Sequence, residues 1–134
     1  EAMQEMLASL RQAAHRDDTQ CQVIARVGLT LAEAIVSFHE GHFDAAFERL
    51  LPARYDVIGI GGSHAQRDLF ALVLTEAALQ GKRATDARAL LAERIALKPK
   101  NPHAWRRYAE ALELAGDATA AKTARQRCST LLAA

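Results

Sequence analysis

Gly59, Gly61 and Gly62 fall within four positions, and Ser63 and His64 follow directly. Glycines followed by a hydroxyl and an imidazole are the raw material of a phosphate cradle or a nucleophile turn, so the spacing decides. A phosphate loop needs Gly-Lys-Ser/Thr after its glycines and a strand before them. Here Gly62 is followed by Ser63-His64, and the preceding residues read as helix. A dinucleotide fingerprint needs a third glycine where His64 stands. A nucleophile elbow needs its serine between glycines, and Ser63 is not so placed. A structural role uses the same residues more fully. Ser63 and Gln66 have the Ser-x-x-Gln spacing of a capping box in front of a long apolar segment. The glycines permit a lengthened turn between two helices, and Val57, Ile58 and Ile60 are expected to tuck against the core.

His39-Glu40-Gly41-His42 invites a metal reading. Zinc-protease histidines stand four apart on one helix; these stand three apart with Gly41 between them, which predicts a helix end and turn. Cys21 and Cys128 lie near opposite ends and match no metal or redox spacing. Two buried reduced thiols, and hence a reducing, cytoplasmic compartment, are expected. No Ser/His/Asp set can be drawn. The expectation is a non-enzyme with no catalytic residue, no metal and no cofactor.

The elements that position these residues are helical. Met3, Met6, Leu7, Leu10 and Ala14 recur at spacings of three and four, an amphipathic pattern over 2–15. Thr19, with Gln22 three residues on, is the expected cap of a helix whose stripe runs from Ile24 to Phe38 and stops at Gly41. "FDAAFERLL" begins the next helix, which Pro52 should kink or end early. From Ala65 to Gln80 apolar positions nearly encircle the axis, as in a helix buried on most sides. Gly81 is the expected stop. Residues 84–97 follow, with Ala87, Leu90, Leu91 and Ile95 inward. Asn101 caps and Pro102 opens a helix running to Gly116, and the last spans about 118–132. No segment alternates with period two, so the expectation is an all-α chain of seven helices.

The chain has 134 residues, about one domain's worth, with net charge +1. No apolar run approaches the roughly 18 residues of a membrane span. Glu1 already falls inside a helical pattern, which suggests a fragment of a larger chain. Charge is uneven: residues 1–56 carry nine acids and five bases, and residues 82–107 carry eight bases and two acids. That asymmetry favours an acidic partner at the C-terminal end. A nucleic-acid partner is disfavoured, because only Trp105 and Tyr108 lie near the basic residues.

Helix pairs recur. Thirty-four residues before Ala121 stands Ala87, while Gly41 and Gly81 are 40 apart, so the middle connection is longer than the rest. "NPHAWRRYAEALELAGDATAA" resembles a tetratricopeptide repeat: Trp105 at its position 4, Ala109 at 8, Gly116-Asp117 at 15–16 and Ala121 at 20. "GHFDAAFERLL" and "ATDARALLAERIALKPKNP" resemble the second halves of such repeats. Arg125 departs from the aromatic usual at position 24, and the middle unit lacks the tryptophan. The stretch "LLPARYDVIGIGGSHAQRDLF" is similar to the C-terminal part of proteins of the tetratricopeptide repeat protein 38 type.

The resemblance implies an α-α superhelix of about three tetratricopeptide-like helix pairs plus one extra N-terminal helix. The implied division is 1–18 for that helix, then 19–62 with the long connector, 63–100 and 101–134. It further implies a concave groove, lined by the first helix of each pair, that binds a protein or peptide. Groove positions fall on Leu31, Ile35 and Phe38, then on Leu69, Leu72, Glu76 and Leu79, then on His103, Arg106, Glu110 and Glu113. The candidate site residues are Leu69, Leu72, Glu76, His103, Arg106 and Glu110. Arg107 points about 100° away from Arg106. The Lys and Asn of the two-carboxylate clamp are absent, which disfavours chaperone tails. The expected function is a protein-binding scaffold. The alternative is an accessory domain of an enzyme whose groove packs on a catalytic region elsewhere in its own chain, or a groove filled by another copy. No membrane partner is expected.

Overall fold

The computed structural model describes residues 1–134 and is all-α. Its helices are α1 (Ala2–Ala13), α2 (Thr19–Val23), a π-helical turn (Ile24–Gly28), α3 (Leu29–His39), α4 (Phe43–Ala53), a 3-10 helix (Val57–Ile60), α5 (His64–Gln80), α6 (Ala84–Leu97), α7 (Pro102–Leu114) and α8 (Ala118–Ala133). The chain separates into two compact units, Glu1–Ala77 and Ala78–Ala134. In each, helices adjacent in sequence pair with one another. The class is therefore a helical-repeat type of stacked pairs.

In the first unit α3 packs on α4, and α1 packs on α3 and the π turn. Leu7 of α1 is buried, while Met3 and Met6 stay largely exposed. Arg11 of α1 donates to Glu33 of α3 at 2.8 Å, and Arg49 of α4 reaches the same carboxylate at 3.8 Å. Phe38 and Phe43 meet edge-to-face across the α3–α4 turn at 5.4 Å. That turn closes at Gly41, whose φ of +81° is left-handed, as its place after the helix requires. In the second unit α6 packs on α7 and α7 on α8. Ala109, Leu112, Ala121 and Ala124 form its buried cluster, with Trp105 and Tyr108 against them.

Several boundaries differ from the sequence reading. The cap of α2 is Asp18, not Thr19: its carboxylate accepts from the Cys21 N–H at 2.9 Å. A charged acceptor at a helix start outcompetes a neighbouring hydroxyl. Pro52 lies inside α4, which ends one residue later at Ala53, because proline in a last turn forfeits only one hydrogen bond. After α5 the left-handed residue is Lys82 (φ 58°), not Gly81. The Arg83 N–H still returns to the Ala78 carbonyl at 2.9 Å and closes the helix end. Val57 is buried as expected, but Ile58 is 73% exposed and Ile60 is exposed too. On a 3-10 turn Ile58 points about 120° away from Val57, whereas Ile60 shares the Val57 face but lies at the open end of the turn. Burial of α5 is confined to its second half, Leu74–Leu79; Leu69 is 53% exposed.

Thr19–His39 is one continuous 21-residue rod with a mean hydropathy of 1.5 in its most apolar window. By length and composition alone it could cross a membrane, contrary to the sequence expectation. Its Glu33 is ion-paired on both sides, and Val27, Leu31, Ala34 and Val36 are core residues. At the π turn the Leu29 N–H bonds to the Ile24 carbonyl, five residues back. The run Val23-Ile24 and then Val27-Gly28 combines β-branched residues with glycine, which weakens the regular α register.

Three tests follow from these elements. Cys21 also donates its thiol to Asp18 at 3.1 Å, and these bonds hold the Asp18 carboxyl below its usual pKa. The stability from this cap is fully present above the unfolded carboxylate value, about pH 4. It is lost as pH falls through the lower folded value. Asp18→Asn should keep a neutral cap and flatten that acid limb of a melting-temperature profile; an unchanged limb refutes the assignment. Gly61 and Gly62 share φ near +78°, but a Cβ on Gly62 would meet the Gln66 Oε1 at 2.9 Å, whereas one on Gly61 meets nothing. Gly61→Ala and Gly62→Ala should therefore both destabilise in urea unfolding, and Gly62→Ala should also displace Gln66 Oε1 from its capping bond. Ala109 is fully buried, so Ala109→Leu should cost about 1–3 kcal/mol through overpacking, read in the same assay.

Candidate functional site

The glycine connector is tied to the helix behind it. The Ser63 N–H donates to Gln66 Oε1 at 2.7 Å, and the Gln66 N–H donates to Ser63 Oγ at 3.2 Å, the reciprocal bonds of a capping box. Arg67 turns back and donates to the carbonyls of Gly61 and Gly62. A phosphate cradle presents N–H groups to its anion; this loop presents carbonyls, and they are occupied by a guanidinium. The 3-10 helix preceding it packs on the π turn, where an Arg26 nitrogen lies 3.3 Å from the place of a Cβ on Gly59. These residues brace a connector.

The other candidate chemistry is equally local. His42 Nδ1 lies 3.6 Å from Glu40 Oε2, with no third ligand. Nowhere do three His, Cys, Asp or Glu side chains converge to hold a metal. Cys21 and Cys128 are free and buried. The hydrogen bond to Asp18, with burial, pushes the Cys21 thiol up and keeps it neutral, a poor nucleophile.

The expected binding positions fall on two helices, one in each unit. On α5, Leu69, Leu72 and Glu76 share one face by spacing. Leu69 is exposed, and Leu72 and Glu76 are half-buried. Leu79, from the same series, is a core residue, as is Leu31 from the first series; Ile35 and Phe38 are half-buried. On α7, His103 and Arg106 are exposed and touch, with Arg106 Nη2 3.1 Å from His103 Nδ1. Glu110 is half-buried and ion-paired with Arg107, and Glu113 is ion-paired with Arg125 of α8. The acids of this face are thus neutralised by neighbours, whereas Arg106 stands against an imidazole.

Sequence reasoning missed two exposed apolar features. Tyr55 is 75% exposed, with the Arg54 guanidinium 4.9 Å from its ring centroid. Leu97, at the end of α6, is 82% exposed. The Leu90–Arg94 spacing would carry the buried stripe on to Leu97, so the pattern pointed inward. The helix end lifts it out.

No protein-family model matches the chain, and no solved structure matches it. What the geometry establishes is the broader class: paired α-helices of the helical-repeat kind, with no metal-binding cluster.

Proposed function

We propose that this chain is a non-catalytic, tetratricopeptide-like module that binds a protein or peptide partner in a reducing, cytoplasmic setting. The observation that carries this reading is on α5. Apolar residues nearly encircle that helix, yet burial is confined to Leu74–Leu79. Leu69 stands in solvent and Leu72 is half-covered, on a helix whose start is fixed by the Ser63–Gln66 box. Exposed apolar side chains on a rigid element are what a partner's apolar anchor covers. The exposed His103 and Arg106 on α7 supply a polar face of the second unit. The two free buried thiols support the reducing setting.

Binding of the 134-residue chain to an array of unrelated peptides tests the reading. Leu69→Asp should weaken the best binders about tenfold, as loss of an apolar anchor does, with an unchanged melting temperature. A stable Leu69→Asp chain that binds every peptide as before removes α5 from the site. An absence of binding to any peptide favours the accessory-domain alternative.

A further inference from the structure

The second unit, Ala78–Ala134, holds eleven Lys and Arg against five Asp and Glu. All five acids are engaged. Asp86 pairs with Arg83, Glu110 with Arg107 and Glu113 with Arg125, Asp117 caps the Ala120 N–H, and Glu93 has its own interaction. Six cations, Lys82, Arg88, Lys100, Arg106, Lys122 and Arg127, are exposed and have no carboxylate partner. This unit therefore carries surplus positive charge that its own side chains do not neutralise.

Lys100 stands in the α6–α7 turn, three residues after the most exposed large apolar side chain of the protein, Leu97, and Arg106 stands in the second turn of α7. Leu97, Lys100 and Arg106 lie within ten residues. The corner is braced three ways: the Asn101 N–H donates to the Lys98 carbonyl at 3.1 Å, the Ala104 N–H to Asn101 Oδ1 at 3.2 Å, and Trp105 Nε1 to the Pro99 carbonyl at 2.9 Å. A braced corner loses little freedom on binding.

We propose that the α6–α7 corner docks an acidic segment of a partner protein, carboxylates meeting Lys100 and Arg106 and an apolar side chain covering Leu97. This rests on the binding-module reading and specifies its ligand. The chemistry selects a peptide over the other polyanions. Base stacking needs an open aromatic face, but Trp105 and Tyr108 are half-buried against the α7–α8 core. An anionic membrane surface takes an apolar helix face, not one leucine at a turn. A second copy could offer only the scattered exposed acids of the other unit, such as Glu1, Glu5 and Asp56, and sedimentation separates that case.

Fluorescence anisotropy on the 134-residue chain tests this with four probes. They are an acidic peptide carrying one leucine, its neutral Asn/Gln and basic Lys counterparts, and a single-stranded oligonucleotide. The acidic peptide should bind best, and its affinity should collapse near 1 M salt, where screening acts within about 3 Å. Lys100→Glu with Arg106→Glu should weaken it at least about tenfold, and Leu97→Ser several-fold. Lys122→Glu with Arg127→Glu on α8 changes charge equally and should cost no more than about twofold. Lys100→Glu alone, in the exposed turn, serves if the double variant melts early. An equal loss from the α8 pair overturns the corner in favour of a diffuse field. Preference for the neutral or basic peptide overturns the acidic ligand and leaves the binding module standing. Preference for the oligonucleotide, or a mass that doubles with concentration in sedimentation, replaces the partner class. Binding to no peptide removes both readings.

Discussion

The packing of this protein depends on alanine at helix crossings. Ala34, Ala46, Ala87, Ala104, Ala109 and Ala111 are fully buried. A methyl group fills little space, so neighbouring helices must approach closely to leave no void. Close approach lets a chain with only seven aromatic residues build a core. It also explains where the large side chains went. Phe47, Leu50, Leu91 and Leu112 are the bulky groups sealed in, and Trp105 and Tyr108 lie at the margin of the α7–α8 cluster.

Turn chemistry sets the helix limits on which that packing relies. Asp18, Ser63, Asn101 and Asp117 each accept an N–H of the first turn. Gly41 and Gly116 close helices with left-handed backbone, and Lys82 does so without being glycine. The connector at 57–63 follows the same logic. Its glycines, Arg67 and Gln66 satisfy one another, so residues that looked chemical in isolation are spent on holding α5 in place.

Charge and apolar exposure meet where these constraints relax. In the second unit three of the five carboxylates pair with arginines and a fourth caps a helix, leaving Lys100 and Arg106 near Leu97 without acidic partners. In the first unit Leu69 is exposed on the uncovered half of α5. Leu97 sits at the end of α6 and Leu69 in the first half of α5, each where the buried stripe runs out.

The sequence by itself determined the helices. Apolar spacing marked all seven rods, because a helix shows its period within a few turns. The caps Ser63 and Asn101 were legible because their partners lie three residues away, and Pro102 because its fixed φ suits a first helical position. It misjudged Thr19 against Asp18, where two adjacent acceptors compete and the charged one takes the Cys21 N–H. It could not show that Ile58, Leu69 and Leu97 stay exposed, since periodicity gives the face of a residue and not whether another helix covers that face. Nor could it separate Arg106 from Arg107 by partner. That distinction arises because Glu110 lies one turn beyond Arg107 at a reachable angle, while Arg106 finds His103 instead. Burial and charge pairing are properties of neighbours distant in sequence or set by rotamer, and only the tertiary structure decided them.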